Sequence, residues 1–460
     1  MARGKKKEEL SLEEKLERAL VPVEEQPYEV PGNWCWTKIK YGFDVTSSKR
    51  IHKSDWLDNG IPFYRTRELV KLSNNGFVDN ELFIANELYS TLIRDFGKPE
   101  VGDILVSGVG TIGVPYVVDR EEKFYFKDGN VIWFKNKKVF DAKYIFYLYK
   151  SLFMKNQIYG MSAGTTVDTY TIVNANETVL PLPPLQEQQR IVERIESLFA
   201  KLDEAKEKVQ ETLEGFEERK AAILHKAFSG KLTEKWRKEN KVFKEWETTT
   251  IKKCCKIGSG GTPSRQCLEY YHGCIPWIKT GEINWNKIYS AEECISEMGV
   301  ENSSAKIYEE GAILVAMYGM GVTRGRAAIL KTKAATNQAV CVLVPCKDVL
   351  NYYLFYYFMC NYWDIRKQAV GGNQLNLSAT IIGTFEIGIP SMEEQKEIVR
   401  LLDVLLEKEN RNKKNVETVL DYIGMIKKSI LARAFRGELG TNNPEEESAV
   451  ELLKTILMET

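Results

Sequence analysis

The chain has 460 residues, 43% of them apolar, and its 64 basic and 64 acidic side chains balance. That length asks for about three units of ~150 residues, and the balance excludes a body that holds polyanions by net charge alone. Nine cysteines with no C-x-x-C pair fit reduced cytosolic thiols, three scattered histidines offer little to a zinc or triad site, and no apolar run reaches the ~18 residues of a membrane span.

Residues 1–29 form a helical extension. MARGKKKEEL is basic but has no apolar core after it, so it is no secretory signal. Residues 11–20 read as a short amphipathic helix opened by a capping box, Ser11 with Glu14. Residues 30–183 form a first globular unit of mixed α/β (α+β) class. Its short β-branched and aromatic runs at 103–106, 116–118 and 131–134 alternate with Gly-rich turns, and an aromatic helix follows at 144–153. Gly108-Val109-Gly110-Thr111-Ile112-Gly113 matches the dinucleotide fingerprint G-x-G-x-x-G, which needs a helix to open there. Val114-Pro115-Tyr116-Val117-Val118 ask for a strand instead, so a turn is expected.

Residues 184–230 read as a long helix, 231–245 as a linker and 246–390 as a second globular unit, with strands at 312–316 and 339–344 and an aromatic helix at 352–363. The rings of both aromatic helices are expected in the core. Each globular unit carries a net charge of only about +2. Residues 391–437 are a second long helix, opened by Ser391 and Glu394 as a capping box, and 438–460 a helical tail with Ser448 and Glu451 in the same pattern. Gly230 and Gly437 stand where a left-handed C-cap is needed.

The whole arrangement is written twice, with a period of 207 residues. Pro183, Glu187-Gln188 and Ile191-Val192 recur as Pro390, Glu394-Gln395 and Ile398-Val399. Ala227-Phe228-x-Gly230 recurs as Ala434-Phe435-x-Gly437, Asn130 as Asn337 and Gly164 as Gly371, and, with a small length change, Pro62-x-x-Arg65-Thr66 as Pro276-x-x-Lys279-Thr280. Each long helix has 4-3-4-3 spacing. The first runs through Ile191, Ile195, Leu198, Leu202, Ala205, Val209, Thr212, Phe216, Arg219 and Ile223. The second runs through Ile398, Leu402, Leu405, Glu409, Asn412, Val416, Val419, Ile423, Ile426 and Ile430. That is a coiled-coil seam about 64 Å long at ~1.5 Å per residue. Antiparallel pairing within the chain would relate the halves by a pseudo-two-fold axis.

No P-loop, H-E-x-x-H or amino-methyltransferase motif occurs. Asp103 with Glu121 and Lys123 imitates a nuclease cluster, but the repeat has Ala312 in place of Asp103. Duplication without a duplicated catalytic constellation points to binding.

The residues repeated in order resemble the specificity subunits of Type I restriction–modification systems over nearly the whole chain. They are Trp34 and Trp246 at the unit starts, Ile275-Pro276-Trp277-Ile278-Lys279-Thr280-Gly281-Glu282-Ile283, Ala316-Met317-Tyr318-Gly319, Thr336-Asn337-Gln338-Ala339, Gly371 to Ser378, and the Pro-x-x-x-Glu-Gln-x-x-Ile-Val helix entries. The first unit departs most, with Ser-Ala-Gly-Thr-Thr-Val-Asp at 162–168. The resemblance implies a non-catalytic cytoplasmic protein with two target-recognition domains on double-stranded DNA, their gap held by the coiled coil. It also implies two copies of a methylating subunit and motor–nuclease subunits as partners, which would hold S-adenosylmethionine, ATP and magnesium. Candidate DNA contacts are polar or basic residues in Gly-rich and turn segments, since Arg suits guanine and Asn or Gln suits adenine. They are Lys49, Arg50, Arg65 and Arg67 in the first unit and Arg265, Lys279, Tyr318, Arg324, Asn373 and Gln374 in the second. The alternatives are a coiled-coil scaffold without sequence preference and the recognition portion of a fused restriction enzyme. The few residues outside the repeats, about 30 before and 25 after, speak against the latter.

Overall fold

The computed structural model describes residues 10–126, 131–162, 168–319, 321–370 and 376–459. It divides into two compact units, one of residues 1–208 with 419–460, the other of residues 209–418. Each long helix therefore contributes one half to each unit.

In the first unit an antiparallel sheet runs in the order Phe43–Thr46, Val131–Asn136, Ile104–Ser107, Pro115–Val117. Ile104–Ser107 is buried throughout, which is why it reads as a continuous apolar run rather than an alternating one. Beside it Ile61–Tyr64 pairs antiparallel with Phe83–Ile84 and parallel with Tyr125–Phe126. The second unit keeps this plan. Its larger sheet has the order Cys255–Ser259, Val340–Pro345, Ile313–Ala316, Ala327–Leu330, with Lys287–Ile288 added at the edge. Its smaller sheet centres on Ile275–Ile278, which is parallel to Ala334–Thr336. Mixed α/β domains in duplicate are thus the observed fold class.

Segment 108–113 is the hairpin turn between two strands, with Gly110 and Gly113 at positive φ and the Ser107 hydroxyl accepting from the Val114 amide. Asp103 is buried and accepts hydrogen bonds from Trp133 Nε1 (2.8 Å) and the Asn136 amide (2.9 Å), a structural role. The aromatic helices are each broken in two. Ala142–Lys150 ends at Ser151, whose extended backbone and hydroxyl bond to Leu148 start a new helix, Leu152–Ser162. Asn351–Cys360 gives way to Tyr362–Lys367 across Asn361. Tyr144, Tyr149, Tyr353 and Phe358 are buried in the core as expected, whereas Trp363 is 65% exposed.

The long helices span Leu185–Phe228 and Met392–Ala434. In the first unit Asp203 pairs with Lys427 (2.6 Å) while Glu187 meets Asn442, so the segments run antiparallel. In the second unit Glu217 pairs with Lys413 and Arg219 with Glu409 (3.0 Å each), while Glu394 meets Thr233, again antiparallel. Arg219 and Glu409, two of the four polar interruptions of the heptads, thus face each other. The seam also drifts from strict 4-3 spacing. Val419 and Ile426 are exposed, and Lys427 takes the inner position with its ammonium over the Phe199 ring. A straight α-helix turns ~20° per heptad against a 3.5 repeat, so a short pair without sustained supercoiling changes seam positions.

Both Glu-Gln doublets lock helix to sheet domain. Gln188 accepts from the Asp141 amide and donates to the Val139 and Pro183 carbonyls; Gln395 accepts from the Leu350 amide and donates to the Asp348 and Pro390 carbonyls. Buried Glu187 accepts from Trp34 Nε1 (2.7 Å) and Asn442 (2.9 Å). Buried Glu394 accepts from Thr233, Arg237 (2.7 Å) and Trp246 Nε1 (3.2 Å). The expected Ser391–Glu394 capping box is therefore only half formed: Ser391 caps the Glu394 amide, but the carboxylate serves the hub. Ser448 and Glu451 form no box either, because that carboxylate pairs with Lys454; Ser11 and Glu14 do form one. Gly230 and Gly437 have φ of +73° and +74°, as C-caps require.

The terminal helices are Leu12–Ala19 and Ala449–Glu459. They pack together, and Ala449, Leu453, Ile456 and Leu457 share the first unit's core with Ile191, Ile195 and Ile430. A helix this short is marginal alone, and here its own chain supplies the surface. Among the described residues no helix is long and apolar enough to cross a membrane.

Candidate nucleic-acid interface

The four candidates of the first unit, and Arg265 and Lys279 in the second, gather where the parallel strand pair ends. Lys279 and Asn337 directly follow the parallel strands Ile275–Ile278 and Ala334–Thr336, and the Asn337 amide bonds to the Ile278 carbonyl (3.0 Å). Arg65 follows Ile61–Tyr64 in the same way. Arg65 and Lys279 both stand at an N-cap, and each backbone amide donates to a glutamate three residues on, Glu68 and Glu282.

Their side chains are held differently. Glu68, nearly fully buried, takes Nε and Nη2 of Arg65 (3.1 Å each) and Nε of Arg67 (2.9 Å). Burial acts to raise the Glu68 pKa, but the two guanidiniums outweigh it and hold the carboxyl below its usual value. Arg67 also reaches Glu81, and Arg65 stands over the Trp56 ring. Much of the donor capacity of Arg65 and Arg67 is therefore spent inside the protein. Both still border a groove of about 550 Å3 that they share with Val109, Gly110 and Thr111 of the hairpin turn. Lys49 and Arg50 are exposed. The backbone of Lys49 bonds to the Tyr125 hydroxyl, placing both residues beside the same parallel strands.

In the second unit Arg265 and Lys279 converge on Glu293, at 2.7 and 2.9 Å, and Lys279 also reaches Glu292. Ion pairing raises the pKa of both cations and lowers that of Glu293. Arg265 sits over Tyr271 and Trp277, at 4.2 and 5.1 Å from the ring centres. Tyr318 and Arg324 lie apart from this cluster, in the hairpin between Ile313–Ala316 and Ala327–Leu330. That hairpin is held by Arg366, whose guanidinium donates to the carbonyls of Arg324 (2.6 Å) and Gly321 (2.7 Å). Burial, then the nearby Arg366 charge, lowers the Arg324 pKa. Tyr318 is partly exposed. Asn373 and Gln374 lie outside the described residues.

Sequence reasoning missed Glu293, Arg366 and the pairing of Thr262 with Gln338. Nothing in a lone acidic doublet or a helical arginine marks it as a partner of a loop far away in the chain. Among the described residues no group of three His, Cys, Asp or Glu side chains is placed to hold a metal ion.

Two sheet domains of one plan, each with basic side chains at the end of its parallel strand pair, define a duplicated binding protein. Residues 31–214 and 243–420 each match the model of the Type I restriction modification DNA specificity domain, and the chain belongs to that family. Its role is DNA specificity. The EcoKI specificity subunit of Escherichia coli K12 is 27% identical over 348 residues, covering 70% of this chain and 73% of that one. The MjaIX specificity subunit of Methanocaldococcus jannaschii is 32% identical over 193 residues, 40% and 43% of the two chains. Among solved structures, a chain from a structure on complex assembly and conformational transition of the type I R-M system aligns with a TM-score of 0.70 at 18% identity, covering 90% of this chain and 100% of that one. The HsdS subunit from Thermoanaerobacter tengcongensis aligns at 0.58 and 17%, with the same coverage. At these identities both show the fold.

Proposed function

We propose that each unit reads one half of a bipartite duplex site, and that the chain catalyses nothing by itself. The observation that carries this reading is a basic cluster at the end of the parallel strand pair in each of two like-built units, Lys49, Arg50, Arg65 and Arg67 in the first and Arg265 and Lys279 in the second. Arg65, Arg67, Lys49 and Arg50 serve the first half-site, and Arg265, Lys279, Tyr318, Arg324, Asn373 and Gln374 the second. Nearly neutral domains supply little non-specific affinity, because that comes from neutralising phosphates. Binding is therefore shared with partners in the cytoplasm, namely two methylating subunits carrying S-adenosylmethionine and motor–nuclease subunits using ATP and magnesium. The long helices act as the spacer between the two readers. Methylated adenines mapped in DNA from cells carrying this chain and its methylating partner should fall in a single two-part motif with a fixed gap. Methylation without a two-part motif would overturn the reading, as would methyl transfer by the purified chain alone.

A further inference from the structure

The loop at residues 260–265 is pinned on every side. The Gly261 amide bonds to the Thr336 carbonyl (2.9 Å), Trp277 Nε1 to the Gly261 carbonyl (2.9 Å), and the Tyr271 hydroxyl to the Pro263 carbonyl (2.6 Å). Thr262 bonds to Gln338. Gly260 and Gly261 make this possible, since a Cβ at either would lie 1.9 Å from the Thr336 carbonyl oxygen or 2.3 Å from the Ala305 nitrogen. At the end of this loop Arg265 lies over Tyr271 and Trp277, with Nη1 on Glu293. The side chain is nonetheless 54% exposed, and among the described residues its Nε and Nη2 have no hydrogen-bond partner. In the first unit, by contrast, Glu68 takes both Nε and Nη2 of Arg65.

We propose that Arg265 reads a guanine in the second half-site through Nε and Nη2, and that Glu293 is the positioning residue that sets its plane. This rests on the DNA-reading function proposed above. A guanidinium edge matches the N7 and O6 acceptors of guanine in the major groove. Ring faces on one side and a carboxylate on Nη1 remove most of the rotamer freedom that an exposed arginine loses on binding. The surrounding charge decides between a base and a phosphate. Glu292 and Glu293 sit in the same network, so Arg265 and Lys279 bring no net positive charge to it. A phosphate there would meet two carboxylates, whereas the neutral acceptors of a base edge meet only the free donors.

The test is selection from a library of randomised duplexes by the full chain co-purified with its methylating partner, followed by binding to the selected duplex at several salt concentrations. Arg265→Ala should lose discrimination at one G·C pair by roughly ten- to a hundredfold and leave every other position unchanged. Its salt dependence should stay that of the wild type, because a lost phosphate contact lowers the slope by about one charge and a lost base contact does not. Glu293→Gln keeps the shape and a hydrogen-bond acceptor but frees the guanidinium, and should weaken discrimination at that same pair by a smaller factor. Uniform weakening with a reduced salt slope would make Arg265 a phosphate contact and overturn the proposal. An unaltered preference in both variants would overturn it too. If the wild-type complex selects no sequence at all, the DNA-reading function itself fails, which is a different outcome from a selective wild type with indifferent variants.

Discussion

The two hub glutamates occupy equivalent repeat positions in different electrostatic settings. Glu187 has neutral donors, Trp34 and Asn442, and burial raises its pKa. Glu394 has the Arg237 cation as well. A carboxyl with a raised folded pKa gives stability that is complete below its unfolded pKa and lost as pH rises through the folded value. Glu187→Gln keeps an acceptor for Trp34 and does not titrate. Its melting temperature should therefore lie close to wild type and gain on it between about pH 4 and 7. Glu394→Gln leaves Arg237 without its counter-charge and should cost about 1–3 kcal/mol at neutral pH. Denaturant unfolding of both variants at the two pH values checks the contrast. An equal loss in both would mean that the hubs are not distinguished by charge.

At the scale of elements, the loop at 260–265 and the helix seam make separate predictions. Gly261→Ala forces a Cβ into the Ala305 backbone, so the loop must move at a cost of about 1–3 kcal/mol. The sheet cores lie elsewhere. Duplex selectivity should therefore fall while far-ultraviolet circular dichroism stays native; retained selectivity would show that the loop position does not matter. In the seam Arg219 and Glu409 form a partly exposed pair, of the kind that contributes about 0–1 kcal/mol. Replacing both by leucine continues the apolar stripe between Phe216 and Ile223, and the double variant should melt at or above the wild-type temperature. A clear drop would assign the pair a larger role than its exposure allows.

For the whole molecule, modular reading predicts that exchanging residues 30–183 for the same unit of another family member changes one half of the recognised motif and leaves the other. Adding seven residues to each long helix lengthens both by about 10 Å at ~1.5 Å per residue. On the proposed spacer role the gap should grow by up to about three base pairs at ~3.4 Å each, with both half-sites unchanged. Methylation mapping reads out either experiment. An unchanged gap at full activity would assign the spacing to the partners.

The duplication, the long helices and their C-caps were legible because they depend on local rules. Gly230 and Gly437 are needed wherever a helix ends in a left-handed turn, and a repeat is visible by comparing a chain with itself. The turn at 108–113 was legible for the same reason, since the strand-forming residues after it exclude a helix there. Contacts between distant positions were not legible. Ser391 and Glu394 spell a capping box, but Thr233, Arg237 and Trp246 are folded onto that carboxylate and claim it. Val419 and Ile426 fit the heptad count, yet the turn of a straight helix carries them outward. Arg65, Arg67 and Arg265 were equally plausible as exposed basic residues. Only the positions of Glu68 and Glu293 separate the guanidiniums already taken up from the one that keeps a free edge, because a cation's availability depends on which carboxylates the fold brings within hydrogen-bond reach.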